Sequence, residues 1–341
     1  MANSSKLLNL ALQGGGAHGA LAWGILDKLL EDGRIKFDSI SATSAGAMNA
    51  MVLVHGLIAG GNEGAREALH NFWHKVSEVG ELFNPVKPLP IEKYFNLQDG
   101  QVLSFLMFDF MKRLFSPYQL NPNNFNPLKD VLESIVDLKK IKKSKSLKVF
   151  ISATNVRTGK IKIFDNDELS IDAVMASACL PDLSQAVQID QEYYWDGGYM
   201  GNPALFPIIY NSDCSDILIL HSNPIHREKI PETTADILNR INEISFNSSL
   251  MREMRAVAFV TKLLEEGWIK DEYKKNIKHL RIHAIFADQK IESYSYASKF
   301  NPNWLYLTQL FDEGRRQGSA WLKQNFNCIG VKSSIDINEY L

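Results

Sequence analysis

Apolar residues in this chain fall into short unbroken runs separated by longer stretches of helical period. Residues 7–12, LLNLAL, are too short for a helix and run into glycines 14–16, so they predict a buried strand. After GGGAHGA the apolar positions of LAWGILDKLLEDG recur at helical spacing. The unit then repeats: FDSISA at 37–42 predicts a second strand, and the small residues from Ala45 lead into a helix that lasts until Gly60 and Gly61. Further strands are predicted over 147–156, 160–164, 216–222 and 280–286. A short helix stopped by Pro181, a long helical pattern over about 230–266 and a last helix near 303–325 complete the body. About fifteen residues beyond it predict a loose tail. Strands alternating with helices make an α/β protein with a mainly parallel sheet.

Composition narrows the function more than the fold. With 45% hydrophobic and 22% charged residues, 341 residues can bury a large core, as one large α/β domain or two modest ones. A formal net charge of -2 and the lack of a basic block argue against a nucleic-acid partner and against recruitment to anionic lipid by charge. Membrane contact would have to be local and apolar. One stretch suits it: VLSFLMFDFMKRLF, residues 102–115, too short to span a bilayer, reads either as a core helix or as a lid or interfacial helix. FNSSLMREMRAVAF, residues 246–259, carries the same ambiguity. Cys179, Cys214 and Cys328 are widely spaced, which suggests neither disulfides nor a zinc site and fits a reducing cytosol. The apolar run at 7–12 is too short for a signal peptide.

Three segments carry candidate chemistry. Gly14, Gly16 and Gly19 match the G-x-G-x-x-G spacing, but Asp32 and Asp38 are poorly placed to bind a ribose. The same glycines could be a packing turn, or an anion cradle of amides at a helix N-terminus, fit for a phosphate or a developing oxyanion. Ser44 follows at the end of the next strand, in ATSAG; Gly46 fits the G-x-S-x-G elbow and Ala42 departs from it. It reads as a nucleophile on a tight turn or as a small packing residue. Adjacent parallel strands would bring both loops to one crevice at their carboxyl ends. Asp196 ends the alternating stretch VQIDQEYYW and precedes Gly197 and Gly198, as a base brought close by a sharp turn or as an ordinary turn residue.

Taken together, GGGAHG, ATSAG and DGG, in that order and with NPA after the aspartate, resemble the patatin-like phospholipase family over about residues 7–222. FDEGRRQGSAWL, residues 311–322, is similar to the C-terminal helix of bacterial members. The resemblance implies a three-layer α/β/α fold over a single domain, 1–341, with a catalytic core at 7–222, a mainly helical part at 230–326 and a tail at 327–341. It implies a Ser44–Asp196 dyad without a catalytic histidine, acting on fatty acyl esters of phospholipids or lysophospholipids with no cofactor and no metal. On that reading the amides of Gly14, Gly15, Gly16 and Ala45 hold the oxyanion, and His18, Gly19, Gly46, Gly197 and Gly198 support the motifs. The expected protein is cytoplasmic, with peripheral membrane contact through 102–115. His18 stands where the family more often has Lys or Arg, and near a helix N-terminus it is expected to be neutral. Two rivals stay open: a Ser44–Asp196–histidine triad using His221 or His226, and a non-catalytic lipid-binding protein of the same fold.

Overall fold

The computed structural model describes residues 5–83, 110–112, 114–144, 147–274, 277–287 and 296–341. Strand β1 (Lys6–Leu12) leads through the glycine loop into helix α1 (Gly19–Asp32). Strand β2 (Ile35–Ala42) leads through Thr43 and Ser44 into α2 (Ala45–Phe83), which turns sharply at Gly60 and Gly61, where the sequence predicts a stop. Then come β3 (Lys148–Asn155), β4 (Ile161–Phe164), α3 (Ile171–Ser177), β5 (Val187–Ile189), β6 (Glu192–Asp196) and β7 (Asp216–Leu220). Helix α4 (Thr234–Glu265), strand β8 (Arg281–Ile285) and helix α5 (Trp304–Asn325) follow.

All eight strands join one sheet in the order β5-β6-β3-β2-β1-β7-β8, with β4 also on β3. The five strands from β3 to β8 are parallel, and β4, β5 and β6 form the antiparallel end. Period-two side chains feed two cores: Leu8, Leu10 and Leu12 enter one, shared with α1, α2, α3 and α5, while Ala11 enters the other, with Ile217, Ile219 and the α4 residues Leu250 and Met254. Helices therefore cover both faces, which is the three-layer α/β/α arrangement. The Phe246–Met254 stretch of α4 is core, whereas Phe259 is exposed.

The end of the chain corrects one expectation. Residues 327–341 are not a loose tail. Lys6 Nζ donates to the carbonyls of Phe326 and Ile329 at 3.0 and 2.8 Å, the Gly330 amide donates to Asp216 at 2.8 Å, and Ser333 and Ser334 bond Ile282. Tyr340 is buried in the second core. These residues lack helical or strand periodicity, so nothing in their pattern signals that they are tied down. Residues 102–109 and 113 lie outside the described residues; the remainder of that stretch exposes Phe110, Met111, Leu114 and Phe115. Among the described residues no helix is long and apolar enough to cross a membrane.

Candidate active site

The elbow is built where β2 gives way to α2. Ser44 takes φ 56°, a left-handed conformation that strains a residue bearing a Cβ. It is held there by its own amide donating to Ser177 Oγ (2.8 Å), by Thr43 N donating to Leu12 O (3.2 Å), and by Thr43 Oγ1 donating to Gly201 O (2.6 Å). A Cβ on Gly46 would come within 2.7 Å of the Gln13 carbonyl, so only glycine lets the start of α2 press onto the end of β1. Ala42, the departure from the elbow pattern, buries its methyl fully in the main core and disturbs nothing. The first-turn amides of α2, Ala45 included, lie beside Ser44 with the positive end of the helix dipole.

The glycine loop packs directly on this turn. A Cβ on Gly14 would sit 2.5 Å from Ser44 Cβ, and one on Gly19 would sit 2.9 Å from Ala45 Cβ. Gly14 cannot, however, serve the oxyanion role expected of it. Its amide donates to Asn202 Oδ1 at 2.7 Å, and its carbonyl accepts from Asn223 Nδ2 at 2.8 Å. Its contribution is close approach. Gly15, with an extended φ of 179°, and Gly16, with φ 58°, open a short 3-10 turn whose first amides have no acceptor within the turn. His18 is buried against Ser298 Oγ at 2.8 Å, and burial followed by the Lys299 charge lowers its pKa to about 3. The imidazole is neutral, as its place near a helix start suggests.

Asp196 reaches Ser44 through a change of partner along one edge of β3. Ile151 pairs with Ala42 on one side and Phe164 on the other; Ala153 pairs with Asp196 and Lys162. Strand β4 thus fills one edge, while β2 and then β6 share the other, so Asp196 lies in line with the chain leaving Ala42. The carboxylate accepts from the Gly198 amide at 2.7 Å, and the Ser44 hydroxyl lies near enough to draw its pKa down. It is 1% exposed. Burial raises its pKa to about 7, against the downward pull of the Gly198 amide, the Ser44 hydroxyl and Lys299. The paired glycines earn their place by contact: a Cβ on Gly197 would overlap the Ser152 backbone, and one on Gly198 the Phe246 ring.

A cavity of about 390 Å³ opens at Ser44 and Ala45 and is walled by apolar side chains, among them Met48, Phe72, Trp73, Val76, Leu183, Phe300 and Leu307, with Lys299 its one charged residue among those described. A more polar cavity of about 620 Å³, with Tyr118, Asn126, Lys129 and Gln185, shares Met48, Leu128, Ala178 and Ser184 with it. A third of about 530 Å³ lies at the bend of α2, away from Ser44.

His221, His226 and His283 are engaged or placed elsewhere. His221 is buried, bonded through Nε2 to the Tyr340 hydroxyl at 2.7 Å and stacked on Phe286, and burial lowers its pKa to about 3. His283 pairs with Asp216 at 3.0 Å, and His226 is exposed. Sequence reasoning missed the polar frame around the loop. Gln13 accepts the amides of Ser222 and Asn223 and donates to Asn202 O and Asn247 Oδ1, while Lys299 arrives from a distant segment. Asn202 alone had a signal, in NPA; the others sit in unremarkable contexts.

A model of the family described as Patatin-like phospholipase matches residues 10–208. No curated protein matches the chain. Among solved structures, VipD from Legionella pneumophila is 17% identical with a TM-score of 0.39, over 91% of this chain and 67% of its own. ExoU from the type III secretion system of Pseudomonas aeruginosa, in complex with SpcU, is 14% identical with a TM-score of 0.32, over 94% of this chain and 53% of its own. A second structure of the ExoU–SpcU complex gives 16%, 0.31, 96% and 61% in the same order. The chain thus spans between about half and two thirds of the length of these proteins.

Proposed function

The chain belongs to the patatin-like phospholipase family, and from that premise we propose that it is a serine acyl hydrolase cleaving fatty acyl esters of phospholipids or lysophospholipids through Ser44 and Asp196. One observation carries the reading: a strained serine beside a buried carboxylate at the mouth of an apolar cavity. A surface carboxylate near its ordinary pKa is a feeble base for an alcohol; one raised to about 7 is matched to work near neutrality. Asp196 takes the Ser44 proton as Oγ attacks the ester carbonyl, and the new oxyanion is met by the amides of Gly15, Gly16 and Ala45. The tetrahedral adduct collapses as Asp196 gives its proton to the departing alkoxide, leaving an acyl-Ser44. Water, deprotonated by Asp196, then attacks that acyl group, and Ser44 recovers its proton as the fatty acid leaves.

The 390 Å³ cavity suits an acyl chain by its lining. On this reading residues 1–341 act as one domain, and residues 102–115 touch the membrane, which the exposure of Phe110 and Leu114 supports. Three free thiols fit a cytoplasmic setting. Against a triad stands the engagement of His221 by Tyr340 and of His283 by Asp216. The test is labelling with a fluorophosphonate followed by peptide mapping: the adduct is expected on Ser44, and an adduct on another residue, or none, would sink the assignment.

A further inference from the structure

Among the described residues Lys299 is the charged side chain that lines the Ser44 cavity, and it is only 9% exposed. A buried ammonium is costly unless its protons are satisfied. Here Nζ donates to Asn223 Oδ1 at 2.8 Å and to Asn242 Oδ1 at 3.1 Å. Both of these acceptors are neutral amides. Among the described residues the carboxylates acting on Lys299 are Glu243, itself engaged by Arg227 and Arg240, and Asp196.

Asn223 and the segment carrying Ser298 and Lys299 together grip the glycine loop at three points. Asn223, bonded to Lys299, donates to the Gly14 carbonyl; the Lys299 carbonyl occupies the space a Cβ on Gly16 would need; and Ser298 meets His18. In a trans peptide the C=O and the following N–H point to opposite sides, so fixing the Gly14 carbonyl on Asn223 aims the Gly15 amide away from Asn223. We propose that Lys299 is a positioning residue for acyl transfer: through Asn223 it fixes the Gly14–Gly15 peptide, and it places a positive charge beside the Ser44–Asp196 pair. This rests on the serine hydrolase reading above.

The charge has a signed consequence for pH. Asp196 works as a carboxylate, and the Lys299 cation favours that form. Burial first, then Arg227, lowers the Lys299 pKa to about 8 while Glu243 and Asp196 support it, and His18 beside it is neutral. Activity should therefore rise through the Asp196 titration and fall as Lys299 loses its proton. In Lys299→Met the acid limb of kcat/KM should move to higher pH by about half a unit or more, because the carboxylate has lost its cation. The alkaline limb should vanish.

The experiment measures kcat and KM against pH on a soluble p-nitrophenyl ester for wild type, Lys299→Met, Lys299→Gln and Lys299→Arg, with fluorophosphonate labelling of each. Both neutral variants are expected to lose about tenfold or more in kcat with KM little changed, the scale of a misplaced oxyanion donor; Lys299→Arg should keep the acid limb near its wild-type position. Should the neutral variants not fold, Asn242→Ala decides: removing an acceptor from the ammonium should lower its pKa and bring the alkaline limb down. Wild-type limbs in the neutral variants, or an unmoved alkaline limb in Asn242→Ala, would overturn the proposal even if kcat fell. Absence of Ser44 labelling in the wild type would instead sink the hydrolase reading on which it stands.

Discussion

Ser44 occupies a backbone conformation that any side chain resists, and its neighbours are chosen to hold it there. Replacing it by Ala should abolish ester turnover and fluorophosphonate labelling, while Ser44→Gly, equally inactive, should be the more stable of the two by about 1 kcal/mol in denaturant titration, because glycine alone is unstrained at φ 56°. Asp196 carries a similar tension between activity and stability. Its folded pKa, raised by burial to about 7, lies above the unfolded value near 3.8, so the folded state prefers the neutral acid. The stability this lends is present below pH 4 and is lost as pH rises through 7. Asp196→Asn should therefore lower kcat by several orders of magnitude yet raise the melting temperature, and by more at pH 8 than at pH 5. His221→Ala, His226→Ala and His283→Ala should each leave kcat within about tenfold, since none offers its imidazole to Ser44. A histidine variant as inactive as Ser44→Ala would restore the triad. At this scale the sequence is readable where close packing excludes a Cβ, as at Gly46, Gly197 and Gly198. It was silent on Gln13, Asn223 and Lys299, whose roles depend on which distant loops fold together, and it misread the Gly14 amide, which Asn202 claims.

The parallel strands are legible from period alone because they are buried on both faces: runs such as NLAL and DILIL have no solvent side to blur them. What period does not encode is how closely helices approach. Helices α1 and α5 meet through Gly24 and Gly314; a Cβ on either would drive into the backbone of the other helix. That contact also carries buried Asp27, held by Arg66 and Arg315. Gly314→Val should destabilise the protein by about 3 kcal/mol or more, because backbone cannot yield as a side chain can. Gly60→Ala gives the contrast. Its Cβ would meet nothing within 4 Å and its φ of -156° suits any residue, so the change should stay within about 1 kcal/mol of wild type, on either side. Equal losses at the two sites in urea titrations would show that close packing does not set the cost.

The molecule as a whole closes its sheet with parts that carry no pattern of their own. The antiparallel end built from β4, β5 and β6 delivers Asp196 to Ser44, and the last fifteen residues seal the opposite end, where Tyr340 packs under β8 and bonds His221. Neither arrangement follows from local sequence: the first depends on β2 and β6 sharing one edge of β3, the second on a polar strap finding Lys6, Asp216 and Ile282. The strap makes a prediction that separates stability from chemistry. Tyr340 is 2% exposed, and truncating a buried aromatic to alanine costs about 3 to 5 kcal/mol. Tyr340→Ala should lower the midpoint of urea unfolding accordingly and leave kcat on a soluble ester, measured well below that midpoint, within about threefold of wild type. Tyr340→Phe keeps the ring and loses only its bond to His221, so it should cost about 1 kcal/mol. A large fall in kcat for Tyr340→Phe with stability intact would mean that His221 takes part in the reaction after all, because the hydroxyl would then be orienting an imidazole that the chemistry uses.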